Sequence, residues 1–267
     1  MRRSLLERLL PGDAWGDLEV RRGQFHEVFL GAERVVCFAR TAAASARLPG
    51  RAETLRSLAR LDLGFKVPVP LEEGDGYLVL SRVPGSPLAR EAVADPAVAV
   101  QYSSLLEALA NAGAAAALPR AAEDQWRRFA SDVRAELFPL MSQAGRRRAD
   151  GELAAAEALP WTTGALVHGD LGAENVLWET AGGSPRLSGV IDWDEASLGD
   201  PAEDFAAIGA SYGDGFLHRV LASSGRLEGD LLGRITAIRG TFALQQALYA
   251  SRDGDEEEMA DGLAGYQ

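Results

Sequence analysis

Leu166-Val167-His168-Gly169-Asp170-Leu171-Gly172-Ala173-Glu174-Asn175-Val176-Leu177, followed by Gly189-Val190-Ile191-Asp192-Trp193-Asp194 and by Gly199-Asp200-Pro201 with Asp204, is the stretch that organises this chain. Its short apolar runs read as buried strands. Asp170, Asn175 and Asp192 stand at the ends of those runs, where a sheet opens to solvent. Two carboxylates and a carboxamide at one mouth can hold a magnesium ion and orient a hydroxyl. That ion prefers a few protein oxygens shared with phosphates and water.

Composition narrows the rest. At 267 residues the chain sits at the upper end of one domain, or forms two lobes sharing a cleft. Apolar residues make up 47%, enough for a core. A single cysteine, Cys37, excludes a disulfide framework and a cysteine zinc cluster. No apolar run approaches the roughly 18–20 residues of a membrane span, and Glu7 and Arg8 interrupt the N-terminal Leu5-Leu6 pair before it could serve as a signal peptide. A soluble cytoplasmic monomer is expected, with no membrane partner. The net charge of −12 argues against nucleic acid and favours a cationic ligand, although it also serves solubility. Lys66 is the one lysine in the chain.

Periodicity predicts a short helix over 5–10, strands over 18–20, 27–30 and 34–38, and a helix over 51–61 with Pro49-Gly50 ahead of it. Val67-Pro68-Val69-Pro70 reads as an extended connector, and 77–80 as a further strand. Helices follow over 92–112, 124–140 and 149–159, then short strands over 165–167, 176–178 and 187–191. The tail is helical over 201–211, 231–251 and 256–266. The fold class is therefore α+β and bilobal. An N-terminal lobe, residues 1–83, has a small antiparallel sheet with one helix. The mostly helical C-terminal lobe, residues 84–267, carries the polar stretch, and a cleft between such lobes is the usual ligand site.

In phosphoryl transfer an Asp accepts the substrate hydroxyl proton, an Asn five residues later holds a metal ion, and an Asp on the next strand bridges metal and phosphates. Asp170, Asn175 and Asp192 stand at those spacings. His168 reads as a structural residue of the loop. His-Gly-Asp-Leu-x-x-x-Asn-Val-Leu, Val-Ile-Asp-Trp-Asp and Gly-Asp-Pro-x-x-Asp together resemble the aminoglycoside phosphotransferase family, relatives of the protein kinases, and the resemblance spans essentially the whole chain. Further segments are similar to the branch of that family that modifies the tuberactinomycin peptide antibiotics viomycin and capreomycin. These are 23–26, 34–40, 48–51, 136–142 and 239–250.

The resemblance implies a protein-kinase-like fold, ATP as donor with GTP an open alternative, and Mg2+ as cofactor. It implies Asp170 as base, Asn175 and Asp192 as metal ligands, and Asp204 as a structural carboxylate pinning the catalytic loop. The hinge that reads adenine would be Ser81-Arg82-Val83, with Ser81 and Val83 as backbone contacts. A basic cyclic peptide becomes the expected acceptor, and resistance to it the outcome. The alternatives are a kinase of the same fold acting on an aminoglycoside or other metabolite, and a non-catalytic protein that sequesters the drug.

Two departures from the kinase pattern have physical consequences. Kinases set a strand lysine, held by a helix glutamate, against the triphosphate. Here Cys37 stands at the lysine position and Arg51 at the glutamate position. Losing a cation and an anion at paired positions suggests a swap, with Arg51 reaching the phosphates and Arg40 the competing candidate. Arginine suits the task, being always charged and fork-shaped. The second departure is the phosphate-covering loop Arg22-Gly23-Gln24-Phe25-His26, which has one glycine. Phe25 is a candidate nucleotide contact there, and His26 reads equally as a satisfied surface histidine. On the acceptor side, Asp194, Glu195, Asp253 and Asp255 are the candidate anions, although the run 253–258 also reads as a solvated helix start. Trp126, Trp193 and Tyr249 could stack on a ligand, but core packing is the better expectation for each. Cys37 is expected to be a buried strand residue.

Overall fold

The computed structural model describes residues 2–14, 16, 18–23, 25–225 and 230–267. Helix α1 (Arg2–Leu9) precedes three antiparallel strands, β1 (Glu19–Arg22), β2 (His26–Leu30) and β3 (Arg34–Ala39). Helix α2 (Ala42–Leu58) then crosses to β4 (Pro70–Gly74) and β5 (Tyr77–Ser81), completing a five-stranded sheet in the order β1-β2-β3-β5-β4. Alternation sorts the two faces of β3. Val36 and Phe38 join Leu6, Leu9, Phe29 and Val79 under α1, whereas Cys37 faces the opposite core with Ala52 and Leu55 of α2. A side chain at position 37 therefore points at the helix that carries Arg51.

Beyond the sheet, the two-residue strand β6 (Ser86–Pro87) leads into helices α3 (Pro96–Ala112), α4 (Gln125–Glu136) and α5 (Gln143–Glu157). Strand β7 (Ala165–Val167), the hairpin β8 (Val176–Ala181) and β9 (Ser184–Val190), and β10 (Ser197–Gly199) frame the polar stretch. Helices α6 (Ala202–Tyr212), α7 (Asp214–Ser223), α8 (Leu231–Gly240), α9 (Phe242–Asp253) and α10 (Glu256–Leu263) follow. The architecture is an antiparallel sheet region followed by a mostly helical remainder, as the fold-class expectation had it.

Several element boundaries differ from the expectation. Helix α2 starts at Ala42, not 51, because the Thr41 hydroxyl accepts the Ala44 N–H as an N-cap and the helix runs through Pro49. Strand β4 begins at Pro70, the last residue of the expected connector, on a sheet edge where a missing N–H is tolerated. The predicted helix 231–251 is two helices parted at Thr241, whose buried hydroxyl donates to the Ile238 carbonyl. Residues 214–223 form a helix beyond those the periodicity predicts.

Where β9 meets the sheet region, Gly189 is required. A Cβ there would sit 2.3 Å from the Lys66 carbonyl oxygen and 2.6 Å from Val83 Cγ1. Val190 N–H donates to that carbonyl, so the β8–β9 hairpin is stitched to the segment that precedes β4. No helix among the described residues is long and apolar enough to cross a membrane.

Candidate active site

The candidate catalytic loop begins where β7 ends. His168 is fully buried, and both ring nitrogens are engaged: Nδ1 accepts the Asp170 N–H at 3.2 Å, and Nε2 donates to the Ile191 carbonyl at 2.9 Å. Accepting through Nδ1 places the proton on Nε2, and burial pushes the imidazole below its ordinary pKa. A neutral ring tied at both ends, 4.6 Å from the Trp193 ring centroid, links the Asp170 loop to the Asp192 segment. Asp204 closes the arrangement from the first turn of α6. Its Oδ2 accepts the His168 N–H and its Oδ1 the Gly169 N–H, both at 3.0 Å. Gly169 has φ +84°, and a Cβ there would lie 2.8 Å from the Glu195 carbonyl oxygen. Asp200 lies just before the same helix, accepting the Ala202 N–H while pairing with Arg234 at 2.9 Å.

Asp170, Asn175 and Asp192 come together at this mouth. Asn175 Nδ2 donates to the Asp170 carbonyl at 2.8 Å and to Asp170 Oδ2 at 3.0 Å, so its amide nitrogen is engaged and its oxygen is the end left for a ligand. Burial, then the neighbouring Asp192, pushes the Asp170 carboxyl upward, while the Asn175 bond opposes the shift. Asp192 has φ 63°, the left-handed region, and among the described residues no other non-glycine has a positive φ. Asp tolerates that conformation better than most residues, at a cost of roughly 1–3 kcal/mol that surrounding structure must offset.

The nucleotide-side candidates divide. Arg51 of α2 has a side chain only 16% exposed; its Nε lies 2.9 Å from Asp194 Oδ1 and its Nη2 3.4 Å from Asp192 Oδ1. Burial disfavours the guanidinium charge, but Asp194, Cys37 and Asp192 outweigh it and hold the pKa above the ordinary value. Arg40 instead donates to the Gly23 carbonyl at 2.7 Å, bracing the β1–β2 loop. Gln24 of that loop lies outside the described residues. Along the expected hinge, Ser81 N–H goes to the Val69 carbonyl and Arg82 N–H to the Glu33 carbonyl; among the described residues Val83 N–H has no acceptor. Cys37 is buried, as expected, and burial raises its thiol pKa.

The remaining candidates are placed as follows. Asp194, expected among the acceptor contacts, pairs with Arg51. Asp255 is the N-cap of α10, accepting the Glu258 N–H at 3.0 Å, so its carboxylate stabilises a helix start. Tyr249 is not core: it is 58% exposed and close enough to Glu195 for that carboxylate, after burial, to raise its phenol pKa. Trp193 belongs to the main core, and Trp126 is partly buried at the edge of that core. His26 is not a satisfied surface histidine, since its buried Nε2 finds no partner among the described residues.

Arg47 was missed. Its guanidinium carbon lies 5.7 Å from the Phe25 ring centroid, and its charge acts on both Asp194 and Glu195. It precedes Arg51 by four residues on the same helix. That i,i+4 spacing would have revealed it had the helix been started at the Thr41 cap. Asp253, at the C-terminal end of α9, is exposed four residues after Tyr249. Two grooves of about 520 and 590 Å³ share Leu61, Asp62, Leu63 and Gly64 in their walls, and neither includes Asp170, Asn175 or Asp192.

Glu203, beside Asp204 in the first turn of α6, sets a pH dependence. Burial, then Asp204 and Asp200, raises Glu203 to about 7, against a 3.4 Å bond from Gln125. An acid raised in the folded state holds its proton longer than in the unfolded chain. The stability it contributes is complete below about pH 4.5 and is lost as pH rises through 7. Glu203→Gln is therefore expected to melt above the unsubstituted protein at pH 8 and to lose that advantage below pH 4.5. Parallel melting curves across the range would exclude the assignment.

The model of the family described as "Phosphotransferase enzyme family" matches residues 18–238. Viomycin phosphotransferase of Streptomyces vinaceus is 61% identical over 280 aligned positions, covering 99% of this chain and 98% of that protein. Among solved structures, the GDP and kanamycin complex of APH(2")-IIia superposes with a TM-score of 0.80 at 19% identity, covering 98% of this chain and 96% of that one. The streptomycin-ATP-APH(2")-IIa ternary complex gives 0.70 at 17% identity, covering 99% and 94%. At such identities the two structures speak to the fold.

Proposed function

This chain belongs to the phosphotransferase enzyme family, and from that premise we propose that it inactivates a tuberactinomycin antibiotic, viomycin or capreomycin, by moving the γ-phosphate of ATP to one of its hydroxyls. The observation that carries the acceptor is the 61% identity to viomycin phosphotransferase along nearly the full length of both chains. An acidic cleft mouth suits a basic peptide, and Glu195, Tyr249 and Asp253 are the side chains proposed to meet it.

Asp170 accepts the acceptor hydroxyl proton and orients that oxygen toward the phosphorus. Asn175 and Asp192 would hold Mg2+. The donor set fits, since the Asn175 amide nitrogen is engaged by Asp170 and the two remaining oxygen donors match an ion that takes one or two protein oxygens plus phosphates and water. When bound, that ion neutralises charge on the transferring phosphoryl group. Arg51 faces the phosphates, Arg40 and Phe25 shape the covering loop, and the Ser81 and Val83 backbone reads the adenine.

The test is one incubation of the protein with magnesium, ATP and either viomycin, capreomycin or kanamycin, followed by mass spectrometry. A gain of one phosphate on the tuberactinomycins alone is expected. Phosphorylation of kanamycin instead would move the assignment to an aminoglycoside kinase. Tight drug binding without product would make it a sequestering protein.

A further inference from the structure

The strand cation of the kinase site is missing here, and its replacement needs an anchor of its own. Position 37 of β3 points at α2 and carries a small, buried thiol. The opposing helix supplies Arg51, a long side chain that could adopt many rotamers in an open cleft. Instead it is largely buried, with Asp194 Oδ1 2.9 Å from Nε and Asp192 Oδ1 3.4 Å from Nη2. The Nε–H is not aligned for a hydrogen bond to that oxygen, so the contact is an ion pair on one edge of the guanidinium. Asp194 grips the Nε edge, while Nη2 lies toward Asp192.

Resting on the phosphotransferase reading above, we infer that Asp194 is a positioning residue whose carboxylate holds Arg51 at the nucleotide phosphates. The lysine–glutamate pair of kinases is thereby inverted. The cation comes from the helix, and the anion that holds it comes from the loop after β9. The swap visible in sequence at positions 37 and 51 is thus three-cornered: Cys37 vacates the space, Arg51 crosses into it, and Asp194 replaces the helix carboxylate. Sharing a short loop with Asp192 places the anchor beside the proposed metal ligand, so phosphate cation and metal site are set by one backbone segment. Arg47 supports the arrangement from one helical turn away by adding a second positive charge near Asp194 and Glu195.

The experiment compares the unsubstituted protein, Asp194→Asn and Arg51→Ala, with nucleotide affinity measured directly by a fluorescent ATP analogue and by KM for ATP and for viomycin. Asp194→Asn is expected to weaken nucleotide binding by about tenfold, the scale of one charge-assisted contact, with the viomycin KM little changed. Its effect should largely vanish in the Arg51→Ala background, since the two residues act as one unit. The double variant Cys37→Lys/Arg51→Glu, which restores the kinase polarity, is expected to bind nucleotide more tightly than Arg51→Glu alone. If Arg51→Ala weakens the nucleotide but Asp194→Asn raises only the viomycin KM, Asp194 is an acceptor contact and the inference fails. If Arg51→Ala leaves nucleotide affinity untouched, the swap fails with it. Failure of the broader reading looks different: the unsubstituted protein would then phosphorylate nothing.

Discussion

Asp170→Asn is expected to lower kcat for antibiotic phosphorylation by about 10³-fold, or ~4 kcal/mol of barrier, while nucleotide binding stays within about twofold. The substitution changes almost nothing but chemistry. An Asn at 170 keeps the shape, and its side-chain oxygen still accepts from Asn175 Nδ2, the bond that measures 3.0 Å to Asp170 Oδ2. The backbone ties from Asp170 N–H to His168 and from its carbonyl to Asn175 do not involve the side chain at all. What disappears is the anion that orients the acceptor hydroxyl and takes its proton. Phosphoryl transfer proceeds through a loose transition state, so the proton leaves late and much of the loss is orientation of the attacking oxygen. The check is steady-state kinetics beside direct nucleotide titration. Activity within about tenfold of the unsubstituted enzyme would remove Asp170 as the base.

How legible this was depends on how local each signal is. Asp170 and Asn175 lie on one loop, and Asp192 follows one hairpin later. Spacing alone brings them together, and the family resemblance rests on the same residues. The bilobal α+β class was readable because the short alternating strands cluster before residue 81 and helical periodicity dominates after it. Arg51 was readable through register, but Arg47 was not: Pro49-Gly50 looks like a helix stop and becomes a helix interior once Thr41 supplies the cap. Asp194 sits two residues from Asp192, yet its partner is on α2, far away in sequence, and no local pattern announces that pairing. Tyr249 was misread for a similar reason. Leu248 and Ala250, its neighbours, are buried, and only the packing of α9 against α4 and α10 decides that residue 249 faces outward toward Glu195. Asp255 shows the converse case, in which an acidic run signals ligand binding by charge but one member is taken by a cap.

Asp204→Asn is expected to destabilise the fold by about 2–4 kcal/mol and to cut kcat by about 10²-fold, although position 204 touches neither proposed substrate. Asp204 is 1% exposed, and its carboxylate divides its two oxygens between the adjacent N–H groups of His168 and Gly169. The charge is tolerable there because two donors face it and because it occupies the positive end of α6. Burial still pushes its carboxyl upward, so the environment holds little in reserve. An Asn offers one oxygen and one NH2 in place of two oxygens. One backbone N–H keeps its acceptor, and the other meets a donor in a buried pocket. An isosteric change is therefore expected to be nearly as harmful as Asp204→Ala, which leaves both N–H groups without an acceptor. The released loop carries Asp170 directly after those two residues, so a shift of about 1 Å at Gly169 is passed to the catalytic carboxylate. Nucleotide binding, proposed to rest on α2 and on residues 81–83, is expected to survive in whatever fraction remains folded. Thermal melting and kcat, measured together, check both halves. An Asp204→Asn enzyme that melts normally and turns over at full rate would show that the loop is held by His168 and Trp193 without the carboxylate.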